Sequence, residues 1–252
     1  LAVTKALLQS GVSYVGGYQG APISHLMDVL SDAQGLLNEL GVHFQANSSE
    51  ASAAAMLGAS INYPLRGAVT WKSTVGTNVA SDALSNLASA GVKGGALIVL
   101  GEDYGEGASI IQERSHAFAM KSQIWLLDPR PNLPQIVNMV EHGFELSEQS
   151  NTPVMLELRI RACHVHGRFT CKDNRPPMFS RNHVLEHPDF DYSKVCLPPS
   201  TYLQEKQKIE ERLPKAVEFV RHHQLNERFE DQIREMQDEY ESHFNEEMNQ
   251  KE

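Results

Sequence analysis

A short, wholly apolar run, Ala-Leu-Ile-Val-Leu at residues 96–100, lies between glycines at positions 95 and 101. A run of this kind is typical of a strand in a parallel sheet that is buried on both faces. Further short runs with strand character are separated by segments of helical periodicity, and they lie at residues 12–17, 42–45, 68–71, 124–127 and 153–159. The alternation predicts an α/β fold in which helices flank a parallel sheet on both faces, and we expect this domain to span residues 1–166.

The rest of the chain has a different composition. Five prolines interrupt the polar residues 167–200, and we interpret this stretch as a connector that runs over the surface. Residues 201–252 are charged, and their periodicity predicts a C-terminal helical extension in which Pro214 opens a second helix. Apolar positions at helical spacing predict a docking stripe on its acidic last part, formed by Phe229, Ile233, Met236, Tyr240 and Phe244.

Charge and composition exclude several classes of function. Lys and Arg total 22 against 32 Asp and Glu, and the net charge of -10 disfavours binding to nucleic acid or to anionic lipid. No apolar run reaches the roughly 18 to 20 residues that a membrane span needs. The 3 cysteines, Cys163, Cys171 and Cys196, do not fit a secreted disulfide framework, so we expect a cytoplasmic protein with reduced thiols. Because the chain begins with Leu, we expect it to be a piece of something longer.

Polar and glycine-rich segments follow three of the predicted strands. The glycine-rich turn at residues 16–22 lies between a strand and a helix, where it either cradles a ligand or serves only the geometry of the turn. We expect the Ser24 side chain to cap the helix that follows. Glu50 begins an Ala-rich helix at residues 50–62, and two readings stay open for it. It is either the third helical residue of a capping box with Asn47 as N-cap, or a fixed carboxylate at the carboxyl edge of the sheet that handles a proton.

A polar loop at residues 72–78 and the pair Glu102-Asp103 follow two further strands. Because parallel strands end at the same edge, we expect Glu50, Lys72 and Asp103 to converge there. The cysteines and histidines at residues 163–171 match no standard zinc spacing, so we expect ordinary packing and no metal ligands among them. Signatures of P-loop NTPases, serine hydrolases and zincins do not occur in the sequence.

Several motifs, taken in order, resemble the pyrimidine-binding domain of the indolepyruvate ferredoxin oxidoreductase alpha-subunit family. They are Gly-Tyr-Gln-Gly-Ala-Pro-Ile-Ser at 17–24, Glu50 ahead of Gly-Ala-Ser at 58–60, Thr-Trp-Lys-Ser-Thr-Val-Gly-Thr-Asn at 70–78, Gly-Val-Lys-Gly-Gly at 91–95, Gly-Glu-Asp at 101–103, and Gln-Glu-Arg-Ser-His at 112–116. The resemblance covers roughly the first 165 residues.

The resemblance implies thiamine diphosphate as cofactor and oxidative decarboxylation of 2-oxoacids, typically arylpyruvates, to acyl-CoA, with electrons passing through iron–sulfur clusters to ferredoxin. In such enzymes a carboxylate hydrogen-bonds the aminopyrimidine ring, and Glu50 is the candidate for this catalytic role, with Ser49 as the alternative position. The cofactor-binding residues that the resemblance implies are Gly20, Ala21, Pro22, Glu50, Lys72, Gly76 and Asn78. The substrate-binding residues that it implies are Ser24, Asp103, Gln112 and Arg114.

The sequence contains neither the Gly-Asp-Gly motif of a diphosphate and magnesium site nor a cysteine pattern for an iron–sulfur cluster. We therefore expect Mg²⁺ and [4Fe-4S] clusters to be bound by sequence outside this chain, and a diphosphate-binding domain or subunit to complete the site in a homo- or hetero-oligomer. The expected partners are ferredoxin, CoA and a 2-oxoacid. Two alternatives stay open, a noncatalytic structural subunit and a nonoxidative thiamine diphosphate-dependent decarboxylase.

Overall fold

Six parallel strands form one sheet in the computed structural model, which describes residues 1–105, 107, 109 and 111–227. The strands are β1 Tyr14–Gly17, β2 His43–Ala46, β3 Gly67–Lys72, β4 Ala96–Glu102, β5 Trp125–Leu127 and β6 Val154–Arg159. They are arranged in the order β2-β1-β3-β4-β6-β5, and every neighbouring pair is parallel. The predicted α/β fold with a parallel sheet is confirmed.

The helices of the first 165 residues are α1 Ala2–Gln9, α2 Ser24–Asp32, α3 Gln34–Leu40, α4 Glu50–Met56, α5 Ala59–Asn62, α6 Val75–Val79, α7 Ser81–Ala90, α8 Ser115–Ser122, α9 Leu133–Ser150 and α10 Ile160–Cys163. The sequence analysis did not predict α1, α3 or α8. It also predicted one helix over residues 50–62, which the structure divides into α4 and α5. The division lies at Leu57 and Gly58, whose N–H groups bond to carbonyls three residues back instead of four.

Alternate side chains of the central strand pack on opposite layers of helices. Ile98 and Leu100 of β4 join the core that lies under α4 and α7. Leu97 points to the opposite face, where Gly143 of α9 leaves room for it, because a Cβ at position 143 would lie 2.8 Å from Leu97 Cδ1. The apolar run that indicates a strand buried on both faces is thus covered by helices on both faces.

The C-terminal part contains α11 Arg181–Glu186, a 3-10 turn at Tyr192–Lys194, α12 Ser200–Gln207, a π-helical stretch at Lys208–Arg212 and α13 Leu213–His222. The predicted helices after residue 200 are therefore present, and Pro214 lies in the first turn of α13. The predicted connector includes α11 and the 3-10 turn, which the sequence analysis treated as irregular. Arg212 is fully buried and donates hydrogen bonds to the carbonyl oxygens of Ala88, Ser89 and Gln204.

The chain divides into two compact units, Leu1–Ala216 and Val217–Glu252. In the second unit, the rings of Phe219 and His223 lie 4.1 Å apart. The predicted docking stripe from Phe229 to Phe244 lies outside the described residues. Within the described part of the chain, no helix has the length and apolar character that crossing a membrane requires.

Candidate functional site

The carboxyl ends of β1, β3 and β4 define the candidate site. Within the sheet, β2 lies on one side of β1, and the next strand along the chain, β3, lies on the other side of β1. Loops that leave the strands at such a switch point diverge and form a crevice, which is where open α/β sheets bind ligands. The loops that contain the sequence-predicted residues all begin at this edge.

The loop after β1 packs tightly on the neighbouring strand ends. The backbone N–H of Gly17 donates to Asn47 Oδ1 at 3.0 Å. Gly20 lies against Lys72, and a Cβ at position 20 would come within 2.6 Å of Lys72 Cβ, so this contact requires glycine. The Ala21–Pro22 peptide bond is cis.

The helix α2 that follows begins at Ser24, but its N-cap is Ile23, whereas the sequence predicts that the Ser24 side chain caps this helix. Ser24 is already inside the helix, so its side chain is not in the capping position. That prediction was therefore wrong.

Glu50 is the first residue of α4, and the structure overturns the predicted capping box around it. Ser49 is the N-cap, and its side chain accepts a hydrogen bond from the N–H of Ser52, the third helical residue, at 3.2 Å. Asn47 lies too early to cap and binds Gly17 instead. The Glu50 carboxylate is therefore not used for capping.

Burial singles out the Glu50 carboxylate further. The residue is 8% exposed, yet no hydrogen bond or ion pair joins its side chain to any residue that the structure describes. Gly76 makes the space for it, since a Cβ at position 76 would lie 2.9 Å from Glu50 Cγ and closer still to the Trp71 ring. Ser49, the alternative position, has its hydroxyl engaged in the cap. Glu50 is thus a largely buried residue whose carboxylate keeps open acceptor capacity at this edge.

The loop after β3 brings Lys72 to Asp103 at the end of β4. Lys72 Nζ lies 2.8 Å from Asp103 Oδ2, and Asp103 is buried. Two residues later, Thr74 has φ 55°, a left-handed conformation that is unfavourable for a β-branched residue. Strain of this kind persists where the surroundings hold the backbone, and it is concentrated at functional sites. The ion pair neutralises the one lysine in this loop.

The remaining predicted residues are Asn78 in α6 and Gln112 and Arg114 in the loop before α8. Asn78 Nδ2 donates to Glu113 Oε2 at 3.0 Å, and Gln112 Oε1 accepts from the N–H of Gly105 at 2.7 Å. The Arg114 guanidinium lies 3.3 Å from the centroid of the Tyr104 ring, which is a cation–π contact.

Of two cavities in the described structure, one brings together three of the predicted site residues and the other is lined by none of them. A cavity of about 460 Å³ is lined by Asn78, Gln112 and Arg114 together with Thr77 and Phe118. A second cavity, of about 390 Å³, is lined by residues of the first loop and of β2, including Gly17, Asp28 and Asn47. Ser24 lines neither of these cavities.

The comparisons with known proteins agree with this architecture. No family model matches the chain. The chain is 30% identical over 174 residues to the indolepyruvate oxidoreductase subunit IorA of Methanothermobacter marburgensis, which covers 69% of this chain and 27% of that subunit. It is 28% identical over 200 residues to IorA of Archaeoglobus fulgidus, with 78% and 31% of the two chains covered.

The chain belongs to the IorA family. It spans less than a third of the length of these IorA relatives. The fold is also that of a solved 2-oxoglutarate:ferredoxin oxidoreductase from Magnetococcus marinus, which was determined with 2-oxoglutarate, coenzyme A and succinyl-CoA bound. The TM-score is 0.62 at 16% sequence identity, and the match covers 87% of this chain and 44% of that one.

A second group of polar residues in this IorA-family chain was missed by the sequence analysis. Glu102, His116 and Glu157 bring one potential ligand atom each to within 4.8 Å of one another, from the end of β4, the first turn of α8 and the middle of β6. Burial, followed by the neighbouring Glu102, raises the pKa of Glu157 well above its usual range. The signal in the sequence was a single Glu inside the otherwise apolar strand Val-Met-Leu-Glu-Leu at residues 154–158.

Proposed function

We propose that this chain is the N-terminal, pyrimidine-binding part of a thiamine diphosphate-dependent 2-oxoacid:ferredoxin oxidoreductase that converts arylpyruvate-like 2-oxoacids to acyl-CoA. Membership of the IorA family supports the reaction class. The finer assignment to an arylpyruvate substrate rests on the same relatives, whose name specifies indolepyruvate.

The observation that carries the proposal is the state of Glu50. The residue is 8% exposed, and its side chain makes no hydrogen bond or ion pair with the residues that the structure describes. Buried carboxylates normally have partners, so an open one at a ligand-binding edge fits a group that brings a complementary donor. A protonated ring nitrogen, or an amine such as the aminopyrimidine carries, is such a donor. The residues of this edge therefore fit the pyrimidine end of thiamine diphosphate.

Thiamine diphosphate, when bound, supplies the carbanion-stabilising chemistry of 2-oxoacid decarboxylation. The role of this chain is to bind and orient the pyrimidine ring. We assign Glu50 to hold a proton at the ring nitrogen. We assign Gly20, Ala21, Pro22, Lys72, Gly76 and Asn78 to the surface against the cofactor.

For the substrate side we propose Ser24, Asp103, Gln112 and Arg114, of which Gln112 and Arg114 line the cavity of about 460 Å³. In the structure Asp103 is paired with Lys72, and the Arg114 guanidinium lies over Tyr104. Arg114 is exposed to solvent, so its five N–H donors can bind a carboxylate in two hydrogen bonds. We therefore assign the carboxylate of the 2-oxoacid to Arg114.

The diphosphate, Mg²⁺ and the [4Fe-4S] clusters are assigned to sequence or subunits outside this chain. The site edge exposes Tyr18, Val75 and Val79, at 41%, 42% and 49%. Exposed apolar side chains beside a ligand-binding edge fit a surface that another domain covers. We propose that a diphosphate-binding domain or subunit docks there, in an oligomer that passes electrons to ferredoxin.

The test uses the full-length protein with its co-purifying subunits, assayed without oxygen for CoA-dependent reduction of a viologen dye by a panel of 2-oxoacids. Glu50→Gln removes the charge and keeps the size, and we expect activity on arylpyruvates to fall by more than about 100-fold. Glu39→Gln, an exposed change of the same kind in α3, is the matched control and should keep full activity. Thermal unfolding of both variants verifies that they fold.

Three other outcomes would replace the proposal. Equal activity of the Glu50→Gln variant and the control would move the proton-handling role to another residue. Aldehyde formation without any need for CoA would indicate a nonoxidative decarboxylase. A folded, cofactor-supplied complex that is inactive on every 2-oxoacid would indicate a structural subunit.

A further inference from the structure

We propose that Glu102, His116 and Glu157 form a binding site for one divalent transition-metal ion, separate from the cofactor surface described above. The three side chains come from the end of β4, the first turn of α8 and the middle of β6. Each offers one ligand atom, and the three atoms lie within 4.8 Å of one another. Carboxylate oxygens and an imidazole nitrogen are a ligand set for ions such as Zn²⁺ and Mn²⁺.

Unsatisfied buried atoms point to a missing ligand. Glu157 is 0% exposed, and neither of its carboxylate oxygens has a hydrogen-bond partner within the described structure. Glu102 is 1% exposed, and its Oε1 accepts from the N–H of Ser115 at 2.7 Å, whereas its Oε2 has no such partner there. A proton shared by the two carboxyl groups would satisfy one oxygen of each. An ion that Glu102 bound through Oε2 and Glu157 bound through both of its oxygens would satisfy all three open oxygens.

The charges around the cluster leave room for a divalent cation. Arg159 is the cation nearest to it, with Nε 3.4 Å from Glu157 Oε1. However, its guanidinium is directed to Asp128, to which Nε donates at 3.1 Å while Nη2 makes a second, short bond. Asp128 therefore shares Arg159 with Glu157, and one cation divided between these carboxylates does not balance the ionised forms of both Glu102 and Glu157. An ion of charge +2 compensates them.

The orientation of His116 fits a ligand to such an ion. Its Nδ1 faces Glu157, with 3.6 Å to Oε2, and its Nε2 faces Asp128, with 3.9 Å to Oδ2. A metal-binding histidine commonly directs its second nitrogen to a carboxylate, which fixes the tautomer and leaves the first lone pair for the metal. The His116 side chain is 45% exposed, so an ion reaches the cluster from solvent past this ring. The ligand atoms of a tetrahedral Zn²⁺ lie about 3.4 Å apart. The three ligand atoms would therefore move closer together on binding, and the half-exposed His116 ring has room for this movement.

The test is Zn²⁺ binding by the full-length protein, purified with its subunits and freed of loosely bound metal by dialysis. Equilibrium dialysis with elemental analysis counts the bound ions. We expect one more Zn²⁺ per chain in the wild type than in Glu157→Gln, with affinity at this site weakened at least 100-fold. Glu39→Gln should bind as the wild type does.

A second variant keeps the proposal testable if Glu157→Gln does not fold. His116→Ala changes a half-exposed side chain and should weaken Zn²⁺ binding about 10- to 100-fold. Mn²⁺ should bind to the same site more weakly than Zn²⁺. Zn²⁺ binding that is the same in the wild type and in both folded variants would overturn the proposal, and so would a wild type that binds no additional ion. A wild type that binds no additional ion would indicate that Glu102 and Glu157 share a proton instead.

Discussion

Two groups of polar side chains at opposite ends of the parallel sheet differ in how they are paired. At the amino end, Arg66 makes two hydrogen bonds to Glu148, at 2.7 and 2.8 Å, and a third to the carbonyl of Ser10. Beside it, the buried Tyr14 hydroxyl and Ser60 Oγ lie 2.7 Å apart in a hydrogen bond. Every one of these side chains has a partner within the domain.

At the carboxyl end, three glutamates have carboxylate oxygens without such partners. Glu50 makes no polar contact with the described residues, and three of the four carboxylate oxygens of Glu102 and Glu157 have no hydrogen-bond partner among them. Open buried groups destabilise a fold, so they are concentrated where a ligand completes them. The difference teaches that the Arg66 and Tyr14 groups stabilise the domain through internal partners, whereas the open glutamates at the carboxyl end are available to a ligand.

The largest expected effect is a loss of stability caused by a substitution at the amino end of the sheet. A Cβ at Gly94 would collide with the backbone of Leu65, which cannot move aside as a flexible side chain can. We expect Gly94→Ala to lower the free energy of unfolding by about 3 kcal/mol. Gly35→Ala is the matched control, since nothing lies within 4 Å of its added Cβ and α3 should gain about 0.5–1 kcal/mol. Urea unfolding measures both, and equal stabilities would contradict the packing described for Gly94.

The corresponding glycine at the carboxyl end should affect activity more than stability. Gly76→Ala places a methyl group against Glu50 Cγ and the Trp71 ring, and it displaces the carboxylate. We expect the CoA-dependent 2-oxoacid activity to fall about 10- to 100-fold, because small misplacements of a catalytic group cost this much. Steady-state kinetics on protein shown to be folded is the measurement. Unchanged kcat in a folded Gly76→Ala variant would mean that the position of Glu50 does not matter for the reaction.

Removal of a charge at the amino end should lower stability and leave activity unchanged. Arg66→Met removes the two hydrogen bonds that the Arg66 guanidinium donates to the Glu148 carboxylate. Both side chains are about 30% exposed, at 28% and 33%, so water partly replaces the lost contact. We expect a loss of about 1–2 kcal/mol in unfolding free energy and unchanged activity of the folded protein. Arg168→Met, at an exposed position, should leave both quantities unchanged. An Arg66→Met variant that lost activity but kept full stability would contradict the assignment of stability to this group and of activity to the carboxyl end.

The smallest effect concerns the reactivity of a thiol. Burial, followed by the charge of Asp103, raises the pKa of Cys163 to about 12, whereas Cys171 and Cys196 are exposed. The thiolate is the reactive form, so at pH 8 iodoacetamide should modify Cys171 and Cys196 at least about ten times faster than Cys163. Mass spectrometry of tryptic peptides measures this ratio, and labelling in urea is the control in which the three rates converge. Rapid labelling of Cys163 in the native protein would show that this end of the sheet is open to solvent there.

The strands could be predicted from the sequence because burial on both faces leaves continuous apolar runs, as in β4. Helices without a distinct apolar stripe could not. In α8, for example, Phe118 is half-buried beside the exposed Met120, and there is no periodic signal. The predicted capping box at Asn47 failed because three residues, Asn47, Ser48 and Ser49, are all good caps, and only the extended backbone of Ser49 selects one of them.

For the site, the expectation that Lys72 and Asp103 lie at one edge follows from strand alternation, and the structure joins them in an ion pair. The Glu102–Glu157 pair was not predictable in the same way. Its members are 55 positions apart in the sequence, and β6 lies beside β4 only because β5 occupies the outer position in the sheet. The roles of Glu50 and of the residues around the cavity of about 460 Å³ stay predictions.

The buried Arg212 described in the fold has a consequence for synthesis on the ribosome. The last strand of the sheet is complete once Arg159 has left the exit tunnel. However, Arg212, which donates hydrogen bonds to the carbonyl groups of Ala88 and Ser89 at the end of α7, is synthesised 53 residues later. Helix ends that are left without donors are a cost to the nascent chain. Co-translational folding of this domain is therefore completed late, after the whole connector has left the exit tunnel.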